Sequence, residues 1–231
     1  MNENIQVYGS PHAGSPVAAQ RNQVLRNTYW LLALSMVPTV LGAWLGVATG
    51  MTRSLTGGLG LVVFMGGAFG FMFAIEKTKN SSTGVAVLLG FTFFMGLMLS
   101  RLLGAVLGLS NGATLIALAF GGTSAVFVTM ATLATTIKRD LAPMGKFLFV
   151  GMIMLLVAGF ANIFLQIPAM AVTISAIAVL IFSAYILYDV SNIIRGGETN
   201  YIMATLGLFL NIYNIFISLL NILMALTGQR D

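Results

Sequence analysis

Long apolar runs separated by short polar connections fill the chain from about residue 28 to residue 226. A helix needs about 20 mostly apolar residues to cross the hydrocarbon core of a bilayer. Seven runs have this length, and each predicts a transmembrane helix. Their predicted bounds are 28–48, 55–75, 84–107, 112–137, 146–166, 169–193 and 201–226. The expected fold class is therefore an all-α integral membrane protein, a bundle of seven transmembrane helices.

Two boundaries in this pattern are marked less strongly than the others. The apolar character is interrupted only briefly at 107–112, and Pro168 is the strongest signal between the fifth run and the sixth. A bundle of six spans with one re-entrant segment is therefore the alternative to seven.

The residues before the first run have a different composition. Residues 1–24 are mostly polar, contain Pro11 and Pro16, and lack the apolar segment of a cleavable signal peptide. This composition predicts a disordered tail over 1–24 that lies in the cytoplasm. The seven-helix transmembrane domain is then expected over 25–231.

The overall composition also indicates a bilayer as the solvent. Hydrophobic residues make up 58% of the chain and charged residues 7%, whereas an average soluble domain has about 25% charged residues. There is no cysteine, and the single histidine, His12, lies in the predicted tail. We therefore expect no catalytic residues, no metal site and no cofactor, and we do not expect an enzyme.

The basic residues predict how the bundle is oriented, because connections on the cytoplasmic side carry an excess of Lys and Arg. With the N-terminus in the cytoplasm, eight of the 11 basic residues fall on the cytoplasmic side. These eight are Arg21, Arg26, Lys77, Lys79, Lys138, Arg139, Lys146 and Arg195. Arg53 and Arg230 fall outside, and the C-terminus is expected outside as well. A charge pattern of this kind indicates a membrane and gives no reason to expect a nucleic-acid partner.

One basic residue, Arg101, lies within the outer half of the third span. An arginine at this depth commonly extends its side chain along the helix to bring the guanidinium to the membrane surface. We expect this behaviour of Arg101.

Small residues recur at helical spacing in three spans, and such ridges let helices approach closely in lipid. Each of these ridges is expected to face a neighbouring helix. They are Ser35, Thr39, Gly42 and Gly46 in the first span, Gly66 and Gly70 in the second, and Gly96, Ser100, Gly104 and Gly108 in the third.

A polar stripe follows the seventh span at steps of four and three residues. It consists of Gly207, Asn211, Asn214, Ser218 and Asn221. Because amides are costly in contact with lipid, the stripe is expected to face the inside of the bundle. It either holds helices together by hydrogen bonds or lines a path for ions or protons.

Asp189 is the ionisable residue that we place deepest in the membrane. It shares a helix face with Tyr185 and Asn192, and ionisable residues at membrane depth are functional candidates. In an antiparallel hairpin centred near Glu198, Asp189 lies level with Gly207 and about one turn from Asn211. Asp189 is expected to point inward toward Asn211, and the alternative is a surface position at the interface.

Glu76 and Lys77 end the second span on the same side of the membrane as Asp189. Either they are charges of the membrane surface, or one of them reaches Asp189.

Several segments of the chain resemble a known family. They are VLRNTYWLLALS, KRDLAPMGKFL, ANIFLQIPAM, YILYDVSNII, GGETNYI and YNIFISLL. Together they are similar to the bacterial, YccA-like branch of the Bax inhibitor-1 (transmembrane BAX inhibitor motif) family, over about residues 24–226. The resemblance implies a seven-helix protein of the bacterial inner membrane.

The same resemblance implies a pair of aspartates that senses protons for a calcium leak. The first aspartate corresponds to Asp189, whereas the second position holds Asn211. Since an amide cannot share a proton as a second carboxyl does, pH gating by an acid pair is in doubt here. The YccA-like branch is also associated with the membrane protease FtsH, which its members bind and restrain.

Two hypotheses of function follow. The first is a non-enzymatic inner-membrane protein that binds and modulates FtsH. The second is a pH-sensitive leak for calcium ions or protons, with Asp189 and Asn211 as the sensing and gating candidates. The loss of the second acid at Asn211 favours the first hypothesis.

Overall fold

The computed structural model describes residues 16–52, 55 and 57–227. Within them the chain forms seven helices and no strand. The helices are α1 (Pro16–Thr49), α2 (Gly57–Thr78), α3 (Ser82–Leu107), α4 (Gly112–Thr136), α5 (Met144–Leu165), α6 (Pro168–Arg195) and α7 (Tyr201–Thr227). All seven are long and apolar enough to cross a membrane. The prediction of an all-α bundle of seven transmembrane helices is confirmed, and the six-span alternative has no counterpart among the described residues.

The predicted start of the first helix is wrong by about three turns. α1 begins at Pro16, so residues 16–24 are helical and do not belong to a disordered tail. Proline suits the first turn of a helix, and Val24 and Thr28 are buried against the bundle. A search for apolar runs misses such a segment because the polar residues 20–23 interrupt it. Residues 1–15, the rest of the predicted tail, lie outside the described residues.

α7 is the central helix of the bundle. It contacts α1, α2, α3, α4 and α6, whereas α5 contacts α6 alone. The core includes Phe91 of α3 and Phe209 of α7, both almost fully buried, with their rings 6.0 Å apart. The last helix in the sequence therefore completes the packing of nearly all the others.

α1 and α3 approach each other through small residues, which we call the glycine seam: Gly42 and Gly46 of α1 with Gly96 and Ser100 of α3. A methyl group on Gly96 would overlap the backbone carbonyl of Thr39, and one on Gly42 would overlap the backbone of α3. A methyl group on Gly46 would overlap the Ser100 hydroxyl. The ridges predicted in the first and third spans therefore face each other along this part of their length.

The prediction for the second span is wrong. A methyl group on Gly66 or on Gly70 would meet nothing within 4 Å, so these two glycines face no neighbouring helix. Gly104 of α3 also faces open space. The spacing of glycines shows that another helix could approach closely. It does not show whether a neighbouring helix lies at that position.

The start of α1 and the connections 79–81, 137–143 and 196–200 lie together at one end of the bundle, which we call the basic end. Asn200 donates from Nδ2 to the carbonyl oxygen of Lys79 (2.9 Å) and to Oδ1 of Asn80 (3.0 Å). Arg195 and Arg21 make the other connections, described below. The side on which this end lies stays a prediction.

Candidate functional site

The candidate site lies in the hairpin of α6 and α7. Gly196 ends α6 with a φ of 79°, a left-handed conformation that favours glycine. Asn200 then starts α7, because its Oδ1 accepts the backbone N–H groups of Ile202 (3.0 Å) and Met203 (3.1 Å). These two local signals fix the short turn and so set the relative height of the two helices.

Within this hairpin, Asp189 of α6 meets Asn211 of α7. Nδ2 of Asn211 donates to Oδ2 of Asp189 over 2.7 Å. Asn211 is buried and Asp189 is partly buried. A methyl group on Gly207 would lie 3.3 Å from the same carboxylate oxygen, so this glycine leaves room for the carboxyl group. The structure thus contains the contact between Asp189 and α7 that hairpin geometry predicts.

Tyr185 and Asn192 share the face of Asp189 and do not hydrogen-bond to it. The ring of Tyr185 stacks on Phe182 with a centroid separation of 6.3 Å. Asn192 lies at the end of α6, where its carbonyl oxygen accepts the N–H of Gly197 (2.9 Å). Tyr185 therefore flanks the site, and Asn192 shapes the turn.

The remaining residues of the α7 stripe have separate roles. Nδ2 of Asn214 donates to the carbonyl oxygen of Leu210 one turn earlier (2.8 Å), and Ser218 is buried. Asn221 is partly buried. In the part of the chain that the structure describes, Asn211 is the member of this stripe whose side chain hydrogen-bonds to a side chain of another helix.

Glu76 and Lys77 do not reach Asp189. Glu76 forms an ion pair with Lys79 three residues on, and the ammonium of Lys77 lies 5.4 Å from the centre of the Phe73 ring. Both side chains are exposed. The hypothesis that one of them contacts Asp189 is therefore wrong, because each has a nearer partner, on α2 or directly after it.

Two arginines that we did not predict as site residues connect the hairpin to the rest of the basic end. Nη2 of Arg195 donates to the carbonyl oxygens of Lys138 (3.0 Å) and Arg139 (2.6 Å), just after α4. A basic residue in the last turn of a helix is a common pattern, but it does not indicate a bond to another connection. Nε of Arg21 lies 2.6 Å from the place of a methyl group on Gly196, and no sequence pattern indicated this neighbour.

The arrangement supports a hydrogen bond between α6 and α7. No cluster of three or more His, Cys, Asp or Glu side chains that could hold a metal ion occurs among the described residues. Their single ion pair, between Lys79 and Glu76, does not include Asp189. The carboxylate of Asp189 is thus held by a neutral amide, and a change in its protonation acts directly on the contact between α6 and α7.

Comparison with known proteins gives matches along most of the chain. A protein of Escherichia coli K12 named modulator of FtsH protease YccA is 42% identical over 202 residues, which are 87% of this chain and 90% of that protein. An uncharacterised protein of Neisseria meningitidis is 42% identical over 212 residues, 90% of this chain and 93% of its own length. One from Pseudomonas aeruginosa is 40% identical over 219 residues, 94% of this chain and 96% of its own length.

A match to a protein family covers residues 21–228, from the first turns of α1 to the end of α7. The description of this family is "Inhibitor of apoptosis-promoting Bax1". The matched region includes both halves of the Asp189–Asn211 contact. The chain belongs to the Bax inhibitor-1 family.

Proposed function

We propose that this protein is a non-enzymatic protein of the bacterial inner membrane that binds and modulates the protease FtsH. The observation that carries the proposal is the 42% identity to the Escherichia coli modulator of FtsH protease, which extends over 90% of that protein. A second Escherichia coli relative at the same identity is named inner membrane protein YccA.

The N-terminal residues are the proposed handle for the protease. A protease that pulls on its target must grip a segment without stable structure, and the composition of residues 1–15 predicts such a segment. They join α1 directly at Pro16. Since the first turns of α1 contact the hairpin through Arg21 and Gly196, a pull on the tail would act on the candidate site. The proposal requires the basic end in the cytoplasm, which reporter fusions at the two termini would test.

The test uses a deletion of residues 2–14, which stops before α1. It should leave the melting temperature of the bundle unchanged, slow the turnover of the protein in cells that contain FtsH, and weaken its effect on an FtsH membrane substrate. A chain with the same 13 residues (2–14) in shuffled order is the matched control and should behave as wild type. If full-length protein neither co-purifies with FtsH nor changes the half-life of the substrate, the proposed function is wrong. If it does both and the deletion has no effect, only the handle is wrong.

A leak for calcium ions or protons is the second candidate, and the Asp189–Asn211 contact favours it. This contact closes α6 onto α7 near the basic end. An ionised carboxylate is the stronger acceptor for the Asn211 amide, so protonation at low pH would weaken the closure. We expect Asp189→Asn to imitate the low-pH state and Asn211→Asp to make the flux depend more steeply on pH.

Both variants would be compared with wild type in calcium-loaded liposomes at acid and neutral pH. Asn214→Asp is the control, because Asn214 bonds within its own helix. If wild type gives no flux above empty liposomes, or if neither variant changes the flux or its pH dependence, the leak hypothesis should be dropped. Asp189 would then have a structural role only.

A further inference from the structure

A groove opens between α1 and α3 at the end of the bundle opposite the basic end. α1 ends at Thr49 and the chain turns away through Gly50, which has a φ of 63°. α3 continues to Leu107, so beyond the Gly46–Ser100 contact it has no partner from α1. The space that results has a volume of about 440 Å³. We call it the α1/α3 groove, and its size is within the range of roughly 300–1,000 Å³ that is typical of small-molecule sites.

Small and neutral residues form most of this groove, and none of the residues that line it is acidic. Gly104 lies in its wall with nothing within 4 Å of a methyl group placed there. The hydroxyl groups of Thr52 and Ser100 bond to each other (2.7 Å), and Ser100 also donates to the carbonyl oxygen of Leu97 (2.6 Å). Since these hydroxyls already have partners, recognition of a ligand falls to Arg101, the one charged residue among the described residues of the lining.

Arg101 carries a charge that no acid neutralises in the described part of the chain. Its Nη1 donates to the carbonyl oxygen of Leu55 over 2.7 Å. A guanidinium has five N–H donors, and the other N–H groups of Arg101 have no partner among the described residues. The contact with Leu55 therefore holds the side chain beside the groove and leaves most of its donors free for an anion.

Arg101 lies near the end of α3, and the ends of a spanning helix are the parts closest to the headgroups. It lies six residues before the end of α3 (residue 101 against residue 107), which is about 9 Å at 1.5 Å per residue. The long side chain can bring its charge from that depth toward the headgroups. A charged residue at membrane depth is costly and is expected to face a cavity and a partner, and here the cavity is present.

We propose that the α1/α3 groove binds the phosphate of an anionic membrane phospholipid, with Arg101 as the residue that recognises it. The planar guanidinium can donate two parallel N–H bonds to one phosphate group. The glycines of the wall let the glycerol part of the lipid lie close to the backbone. A zwitterionic headgroup binds less well, because its ammonium group meets no carboxylate in the groove.

The experiment measures phospholipids bound to the purified full-length protein in detergent by native mass spectrometry. Phosphatidylglycerol, phosphatidylethanolamine and inorganic phosphate are added in separate titrations. The variants are Arg101→Gln, which keeps a donor for the Leu55 carbonyl, and Gly104→Leu, which fills the groove from a position with open space. Gly121→Leu on α4 is the matched control, since Gly121 also has nothing within 4 Å and lies outside the groove.

Wild type and Gly121→Leu should bind phosphatidylglycerol with the same affinity, and more tightly than phosphatidylethanolamine. A hydrogen bond to a charged group is strong enough that Arg101→Gln should weaken phosphatidylglycerol binding about tenfold or more. Gly104→Leu should weaken it without any change of charge. The proposal is overturned if both variants bind as wild type does, or if inorganic phosphate competes at the concentration of the lipid, which would indicate a site for free anions. If Arg101→Gln does not fold, Gly104→Leu decides by the same measurement.

Discussion

Two helix pairs in this bundle are joined by opposite kinds of contact. In the glycine seam, α1 and α3 meet backbone against backbone, because Gly42 and Gly96 leave no space for a side chain. In the hairpin, α6 and α7 meet at a polar contact, the bond from Asn211 to the Asp189 carboxylate. The first contact is set by shape alone. The second depends on the protonation of one group.

The difference separates the permanent part of the molecule from the part that can respond to its surroundings. A seam of glycines is insensitive to pH and salt, since it contains no charge. A carboxylate held by one amide changes strength whenever a proton binds. Regulation, if the protein has it, is therefore expected at α6 and α7 and not at α1 and α3.

The largest effect is expected from Gly96→Ala in the seam. The added methyl group overlaps the carbonyl of Thr39, which is backbone and cannot rotate away, so the two helices must separate. We expect a loss of about 2–3 kcal/mol, as for other overpacked sites. The melting temperature in detergent measures it, and the loss should be the same at acid and neutral pH. A wild-type melting temperature would mean that α1 and α3 do not pack as described.

The next effect is expected from Asn211→Asp in the hairpin, and it should depend on pH. At neutral pH two carboxylates repel each other where the bond to Asp189 was, which should cost about 1–3 kcal/mol. Uptake of a proton restores a hydrogen bond, so the folded pair binds more protons than the unfolded chain does and the loss shrinks as the pH falls. Melting curves at several pH values test this. An equal loss at every pH would contradict a contact between residues 189 and 211.

A smaller effect is expected from Asp189→Asn. The new amide oxygen still accepts the bond from Asn211, but the acceptor is neutral, so the loss should be about 1 kcal/mol. The melting temperatures of the variant and of wild type in detergent measure this loss. Loss of folded protein at all pH values would indicate that Asp189 has a further partner.

The smallest effect is expected from Gly66→Ala on α2, the counterpart of Gly96→Ala. Nothing lies within 4 Å of the added methyl group, and alanine is the better helix former by about 1 kcal/mol. The melting temperature should stay the same or rise slightly. A clear decrease would show that a neighbour, such as a second copy of the chain, packs against this face in detergent.

Helix count and hairpin contact were predictable because they follow from local rules. Each span is a run of apolar residues, and a short turn such as Gly196–Asn200 places residues of α6 and α7 at known heights. The start of α1 was not predictable from hydropathy, because Gln20, Arg21 and Asn22 are polar and still helical.

Contacts between distant parts of the chain were the harder problem. Glycines four residues apart occur in both α1 and α2, but Gly42 packs against a neighbouring helix and Gly66 faces open space. The positions of the other helices determine this difference. Glu76 and Lys77 were possible partners of Asp189 because all three residues are expected at a similar height in the bundle. The structure places each beside a nearer neighbour, since height along the bundle does not specify the side of the helix to which a residue points.

The central position of α7 has a consequence for biosynthesis. α7 contacts five other helices and follows all of them in the chain, so it leaves the ribosome after them. Until it is inserted, α1, α3, α4 and α6 lack their common neighbour, and the carboxylate of Asp189 has no amide to bind. A chain that stops before Tyr201 is therefore an incomplete bundle in which Asp189 lacks the amide of Asn211. Such a chain is a natural target for the proteases that remove misassembled membrane proteins.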